Sequence, residues 1–209
     1  MSLEGIVWKL YEISNWLMKL ILLNSLWLLF SLLGIVIFGF FPATSAMFAV
    51  TRKWILGDTD IPIFKTFWNT YRSSFLQSNI LGSLLLLLGL VLYVDLRFFQ
   101  SSEHIILSLL NFFIIFAFII YFAVVLYIFP IYVHFKCRTM EYIKRSIIIV
   151  LGKPLHSIMM VVGSYIVYIV ISMVPVLFIF ISGSLASLLL MWIAMKAFAR
   201  YDVKVGEVD

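Results

Sequence analysis

Charged side chains are scarce in this chain: Asp, Glu, Lys and Arg make up 12% of its 209 residues, about half the roughly 25% of a soluble domain. Hydrophobic residues make up 64%, and the mean hydropathy is +1.14. A soluble domain of this size has too much surface to hide that many apolar side chains from water. The composition therefore excludes a cytosolic enzyme, a secreted disulfide scaffold and a disordered chain, and it predicts a protein that faces lipid.

Cysteine and catalytic motifs are also nearly absent. Cys137 is the single cysteine, so the chain offers no internal disulfide and no argument for an oxidising compartment. The sequence contains no H-E-x-x-H, no Walker A motif and no G-x-S-x-G. Its histidines, His104, His134 and His156, lie far apart and fall on both sides of the predicted membrane. We therefore expect no enzymatic activity, no cofactor and no metal site.

Long apolar runs predict an all-α integral membrane protein with a single polytopic domain over residues 1–209, because about 20 apolar residues cross a bilayer as a helix. The predicted transmembrane helices are 20–41, 80–96, 105–132, 157–181 and 185–199. Pro175 is expected to kink the fourth of them, and a tight turn is expected at 182–184. Four amphipathic helices are predicted at the membrane surface, at 3–19, 43–56, 61–79 and 138–151.

The segment 43–56 leaves two topologies open. Pro42 is placed like the first residue of a helix, and Arg52 follows after about 15 Å of helix, half a bilayer. This distance favours an interfacial segment and five spans. A sixth span would instead place 14 of the 15 Lys and Arg residues on one side, against 12 for five spans. In the favoured five-span topology the basic connections 42–79 and 136–156 lie on one side, which should be cytoplasmic together with the C-terminus.

Few polar side chains lie inside the predicted spans. They suit hydrogen bonds between helices, worth roughly 0.6 kcal/mol each, better than the alternative, the lining of a solute path. The one acidic candidate lies at a span end, two residues before Arg97, where an interfacial role is expected. These intramembrane candidates are Asn24, Asn111, Ser164, Ser172 and Asp95.

Tryptophan is placed near the predicted interfaces, at Trp8, Trp16, Trp54 and Trp192. Indole rings favour the level of the lipid headgroups, because they join an apolar body to one polar N–H group. We therefore interpret these four residues as parts of the aromatic belts of a membrane protein.

The predicted cytoplasmic segments 61–79 and 138–151 combine an amphipathic face with basic residues. Such a face serves adhesion to an anionic membrane surface, or it docks a protein partner. If a partner docks, the aromatic repeat of the first segment supplies the contacts. The candidate contact residues are Phe64, Phe67, Trp68, Tyr71 and Arg72.

The stretch from about residue 20 to residue 80 resembles the YesL-like family of bacterial integral membrane proteins. The resemblance is carried by Asn24-Ser25-Leu26-Trp27-Leu28-Leu29, Gly34, Gly39, Pro42-Ala43-Thr44, Ala46-Met47, Arg52-Lys53-Trp54 and Phe64-Lys65-Thr66-Phe67-Trp68. It implies a place in the bacterial cell membrane and a role near carbohydrate uptake. It implies no catalytic or ligand-binding residues.

These observations favour a non-enzymatic accessory subunit of an oligosaccharide ABC importer. The expected partners are the lipid bilayer and the permease and ATPase subunits, with no nucleic acid; a homo-oligomer stays open. The alternative is a small independent transporter or channel for a neutral or sugar-like solute. A membrane-bound enzyme is the least supported hypothesis, because no carboxylate pair is recognisable.

Overall fold

A computed structural model describes residues 3–100 and 105–198. Within these ranges the chain forms helices and no β-strand: α1 (Leu3–Leu33), α2 (Ile37–Ile55), α3 (Ile63–Gln100), α4 (Ile105–His134), α5 (Thr139–Gly152), α6 (Pro154–Met173) and α7 (Pro175–Phe198). Five helices in the described ranges, α1, α3, α4, α6 and α7, are long and apolar enough to cross a membrane. The prediction of an all-α integral membrane protein is confirmed. His104 and the last residue of the predicted span 185–199 lie outside these ranges.

The helices form two compact units. Unit 1 comprises Met1–Phe75 and Gly163–Trp192, and unit 2 comprises Leu76–Val162 and Ile193–Asp209. Helices α3, α6 and α7 each contribute to both units.

The central element of unit 1 is α2, whose residues 42–48 are all buried. A helix that is buried all round belongs to a core, whereas an interfacial helix keeps one polar face exposed. The prediction of an amphipathic surface helix over 43–56 is therefore wrong. Small side chains explain the burial, since Ala43, Ser45 and Ala46 are fully covered and let neighbouring helices come close.

The α1–α2 turn lies at residues 34–36, so the predicted span 20–41 ends too late. Helix α1 continues without a break from the predicted surface segment 3–19 to Leu33, and α2 begins at Ile37 with Pro42 inside it. Gly34 and Gly39 decide the position of the turn, because their backbones approach each other too closely for side chains. A Cβ atom at Gly39 would lie 2.5 Å from the carbonyl oxygens of Phe30 and Ser31, which only a residue without a side chain tolerates.

Helix α3 joins two elements that were predicted separately, the surface helix 61–79 and the span 80–96, into 38 continuous residues. No proline or glycine falls between Ile63 and Leu81, so nothing in the backbone interrupts the helix there.

The α6–α7 boundary corrects the prediction of a fourth span over 157–181 and a turn at 182–184. Helix α6 ends at Met173, and Pro175 begins α7 rather than kinking a longer span. A proline lacks the N–H group and disfavours helical backbone in the residue before it, so it suits a helix start. Gly183 instead lies inside α7, where its missing side chain admits Asn24 and Trp27 of α1.

Unit 2 holds α4 and α5, whose observed bounds agree closely with the predicted 105–132 and 138–151. Tyr121 of α4 donates a hydrogen bond to the Leu85 carbonyl of α3 over 2.9 Å. Lys153, before α6, donates to the Ala197 carbonyl near the end of α7. The start of α6 and the end of α7 therefore lie together in this unit.

Gly39→Ala is expected to lower the free energy of unfolding by about 1–3 kcal/mol, because the new methyl group overlaps the α1 backbone. Unfolding in mixed detergent and SDS micelles measures the change. Gly152→Ala is the matched control, since a Cβ atom at Gly152 meets no atom within 4 Å. Equal stability of the two variants would contradict the close approach of α1 and α2.

Candidate functional site

The predicted partner contacts on α3 divide into a buried and an exposed set. Phe67 is fully buried and Tyr71 is 8% exposed. Phe64 and Trp68 are 58% and 39% exposed, and Arg72 is exposed as well. Phe67 and Tyr71 therefore offer no free surface, and that part of the prediction is wrong.

The buried pair packs on α1. Phe30 of α1 lies 5.4 Å from Phe67 and 5.1 Å from Tyr71 between ring centroids. The Tyr71 hydroxyl donates a hydrogen bond to the Phe30 carbonyl over 3.3 Å. Such aromatic pairs add stability beyond the area that they bury. A charge at residue 67 would therefore disrupt the fold before it could report on a partner.

The residues Phe64, Trp68 and Arg72 form one exposed line at four-residue spacing, which we call the α3 stripe. Lys65 and Asn69 beside it are exposed too. Aromatic residues and arginine on a mixed polar surface are the composition of protein interfaces, and they also occur where a helix lies at the lipid headgroups.

Asn24 is fully buried and bonds α1 to the backbone of α7. Its amide nitrogen donates to the Ile179 carbonyl over 2.6 Å. Its carbonyl oxygen accepts from the backbone N–H groups of Gly183 and Ser184, over 2.9 and 3.1 Å. The side chain thus bridges a carbonyl and two N–H groups within about one turn of α7. Hydrogen bonding between helices, the preferred interpretation of this residue, is what the structure shows.

The other intramembrane candidates occupy varied surroundings. Ser172 is exposed and donates to the Ile169 carbonyl of its own helix over 2.8 Å, and Ser164 is half-buried on α6. In unit 2, Asp95 is half-buried near the end of α3. The Asn111 carbonyl oxygen is buried with no hydrogen-bond partner in the described part of the chain.

The loop between α4 and α5, residues 135–138, is held by side chains of unit 2. The Cys137 N–H group donates to the Tyr142 hydroxyl over 3.0 Å, which donates in turn to the Phe135 carbonyl over 3.2 Å. Gln77 of α3 donates to the Cys137 carbonyl over 3.2 Å. These contacts, which the sequence did not reveal, present the exposed residues Lys136 and Arg138 on a well-defined loop.

The Cys137 thiol is half-buried in this loop. Burial raises the pKa of the thiol above its ordinary value; the Arg145 charge lowers that pKa, and Glu141 raises it through its charge and a hydrogen bond. Since only the thiolate reacts, a raised pKa makes the cysteine slow toward alkylating agents.

The described histidines do not join a metal site. His134 packs against the rings of Phe135 and Phe198, at 4.6 and 4.9 Å between centroids, and His156 lies on α6. Across residues 3–100 and 105–198, no three His, Cys, Asp or Glu side chains are grouped as metal ligands.

Asn24→Leu is expected to destabilise unit 1 by about 2 kcal/mol, because three bonds worth roughly 0.6 kcal/mol each are lost. Unfolding in mixed micelles measures the loss. Ser172→Ala is the control and should stay within about 0.5 kcal/mol of the unmodified chain, since its hydroxyl bonds only within α6. A stable Asn24→Leu variant would show that α1 and α7 do not depend on this side chain.

Alkylation of Cys137 by a maleimide should be slower at pH 7 than that of a free cysteine, and it should accelerate as the pH rises through the raised thiol pKa. Glu141→Gln is expected to speed the reaction at pH 7, because it removes a negative charge that holds the pKa up. Lys144→Gln, an exposed change on the same helix, is the control. A Glu141→Gln rate no faster than the control would argue against this contact.

Comparison with known proteins places the chain in a family. Residues 20–96 match the family described as "Protein of unknown function, DUF624". The uncharacterized proteins YesL and YteU of Bacillus subtilis (strain 168) are 38% and 33% identical, over 90% and 99% of this chain and 88% and 93% of their own lengths. YesV of the same organism is 34% identical over 93% of this chain and 94% of its own. No solved structure matches. The chain therefore belongs to the DUF624 family, the family of YesL, YteU and YesV.

Proposed function

We propose that this protein is a non-enzymatic accessory subunit of an oligosaccharide ABC importer in the bacterial cell membrane. It assists the importer by docking to its permease or ATPase. The observation that carries the proposal is the α3 stripe. Phe64 and Trp68 are exposed beside Lys65, Asn69 and Arg72. Desolvation of two large aromatic side chains and one guanidinium at the centre of an interface supplies much of the energy of a typical complex.

The sugar importer as the partner rests on the resemblance to the YesL-like family and not on any contact in the molecule. An accessory role is favoured over independent transport by the use of Asn24, whose hydrogen bonds go to the α7 backbone. A solute path through the spans needs polar groups that face the solute. The polar atoms of the Asn24 side chain instead bond α1 to α7.

The orientation that we propose places the basic connections in the cytoplasm. In this orientation the connection 56–62, which precedes the α3 stripe, is cytoplasmic, and the α4–α5 loop with Lys136 and Arg138 is cytoplasmic by the same charge rule. An ATPase subunit is cytoplasmic, so this orientation is required for direct contact with it.

Phe64→Ser with Arg72→Glu, two changes in the α3 stripe, should abolish the recovery of importer subunits. Trp68 is left unchanged, because its ring lies 5.4 Å from that of Phe30 of α1 between centroids. The protein is purified in mild detergent from its native membranes and analysed by mass spectrometry. The control is Trp8→Ser with Lys9→Glu, which changes an exposed aromatic and basic pair on α1. Undiminished recovery with the stripe variant would remove this surface from the proposal. Recovery of the unmodified protein alone would favour an independent transporter.

Cys137 reports the orientation, since it is the single cysteine. A membrane-impermeant maleimide at pH 8.5, where the slow thiol reacts faster, should label it in inside-out vesicles and not in intact cells freed of their wall. The reference is Cys137→Ser with Gln100→Cys, which moves the thiol to the exposed end of α3 and should reverse the result. Labelling of Cys137 from outside the cell would overturn the proposed orientation.

A further inference from the structure

Unit 1 contains an apolar cavity lined by three tryptophans. The cavity volume is about 440 Å³, within the roughly 300–1,000 Å³ of small-molecule sites. Trp16, Trp54 and Trp192 meet there, from α1, α2 and α7, and the other lining residues are Ile55, Leu185, Leu188 and Leu189. The three tryptophans were interpreted from the sequence as separate belt residues, and the fold gathers them at one place.

One buried polar group at this cavity lacks a partner. The Trp54 side chain is 4% exposed, and its indole N–H group is buried without a hydrogen-bond acceptor among the described residues. A buried donor without a partner costs about 1–3 kcal/mol, and a tryptophan N–H in such a place usually finds an acceptor. The walls offer none, because their remaining side chains are aliphatic apart from two further indole rings. A ligand with an acceptor oxygen would satisfy this N–H group.

The polar and apolar ends of the site are distinct. Lys19 lies 5.5 Å from the centre of the Trp16 ring and binds the Thr59 carbonyl and the Asp60 carboxylate, over 2.9 and 3.2 Å. Residues 57–60 thus form a polar end beside Trp16. Leu185, Leu188 and Trp192 share one face of α7, and seven residues of helix extend roughly 10 Å. A ligand with a hydrocarbon chain and a polar end matches this arrangement.

We infer that this cavity binds one acyl chain of a glycerophospholipid, with the ester carbonyl of that chain accepting a hydrogen bond from the Trp54 indole N–H group. The hydrocarbon lies along α7 against Leu185 and Leu188, and the headgroup lies beside residues 57–60. An ester carbonyl fits because it is a single acceptor at the junction of the polar and apolar parts of the lipid. A sugar does not fit, since its many hydroxyl groups would meet aliphatic walls. This site is independent of the α3 stripe and of any importer.

Native mass spectrometry of the purified full chain tests the inference, by titration with a diester phosphatidylcholine and with the diether phosphatidylcholine of the same chains. The zwitterionic headgroup removes net charge from the comparison. The expected result is one tightly bound diester lipid per chain and about two- to tenfold weaker binding of the diether lipid, the factor for one lost hydrogen bond. Equal binding of the two lipids would overturn the assignment of the carbonyl to Trp54.

Two variants locate the site. Trp54→Phe keeps an aromatic ring but removes the N–H group, so it should bind both lipids with the weaker affinity. Leu188→Trp keeps Trp54 and places a bulky ring inside the cavity, so it should lose the tight site even if Trp54→Phe does not fold. Trp8→Phe, a change at an exposed ring outside the cavity, is the control and should keep the preference for the diester. Tight binding by Leu188→Trp would place the lipid elsewhere on the chain and overturn the inference.

Discussion

The bond between Asn24 and the α7 backbone is the contact on which unit 1 depends. It connects residues 155 to 160 positions apart in the chain, and it does so where no water can replace a lost hydrogen bond. Gly183 makes the approach possible, because a Cβ atom there would lie 3.0 Å from the Asn24 carbonyl oxygen. The α2 helix, the Phe30 contacts and the tryptophan cavity all belong to the unit that this bond holds together.

Hydrogen bonding of buried polar groups also distinguishes residues that stabilise the fold from residues that can bind a ligand. Asn24 and Ser172 have their hydrogen bonds within the chain. The Trp54 indole N–H has none among the described residues. The same physical cost, a buried polar group without a partner, therefore argues for packing at Asn24 and for a ligand at Trp54. Residue type alone would have suggested the opposite, since an asparagine inside a span looks more functional than a tryptophan near an interface.

The α3 stripe and the tryptophan cavity suit different kinds of partner. The α3 stripe mixes aromatic, basic and amide side chains on an exposed helix face, which suits a protein. The tryptophan cavity is open on one side and has apolar walls with one buried donor, which suits a lipid chain. The α4–α5 loop adds a basic surface whose backbone is pinned through Gln77, Cys137 and Tyr142. A lipid in the cavity would touch α1, α2 and α7 together and so would favour the packed state of unit 1.

The sequence by itself determined the class of the protein, because apolar runs of this length are stable only as helices in lipid. It also determined the bounds of α4 and α5, where apolar or amphipathic runs end at charges and glycine. Only the tertiary structure decided the ends of α1, α6 and α7. Gly39 and Gly183 serve contacts with α1, and local pattern does not show those contacts. At Pro175, local pattern allows both a kink and a helix start. It decided likewise that α2 is a core helix, that Phe67 and Tyr71 face inward, and that three tryptophans share one cavity. Helical periodicity identifies which residues share a face, but the neighbour that covers this face is set by packing across the whole unit.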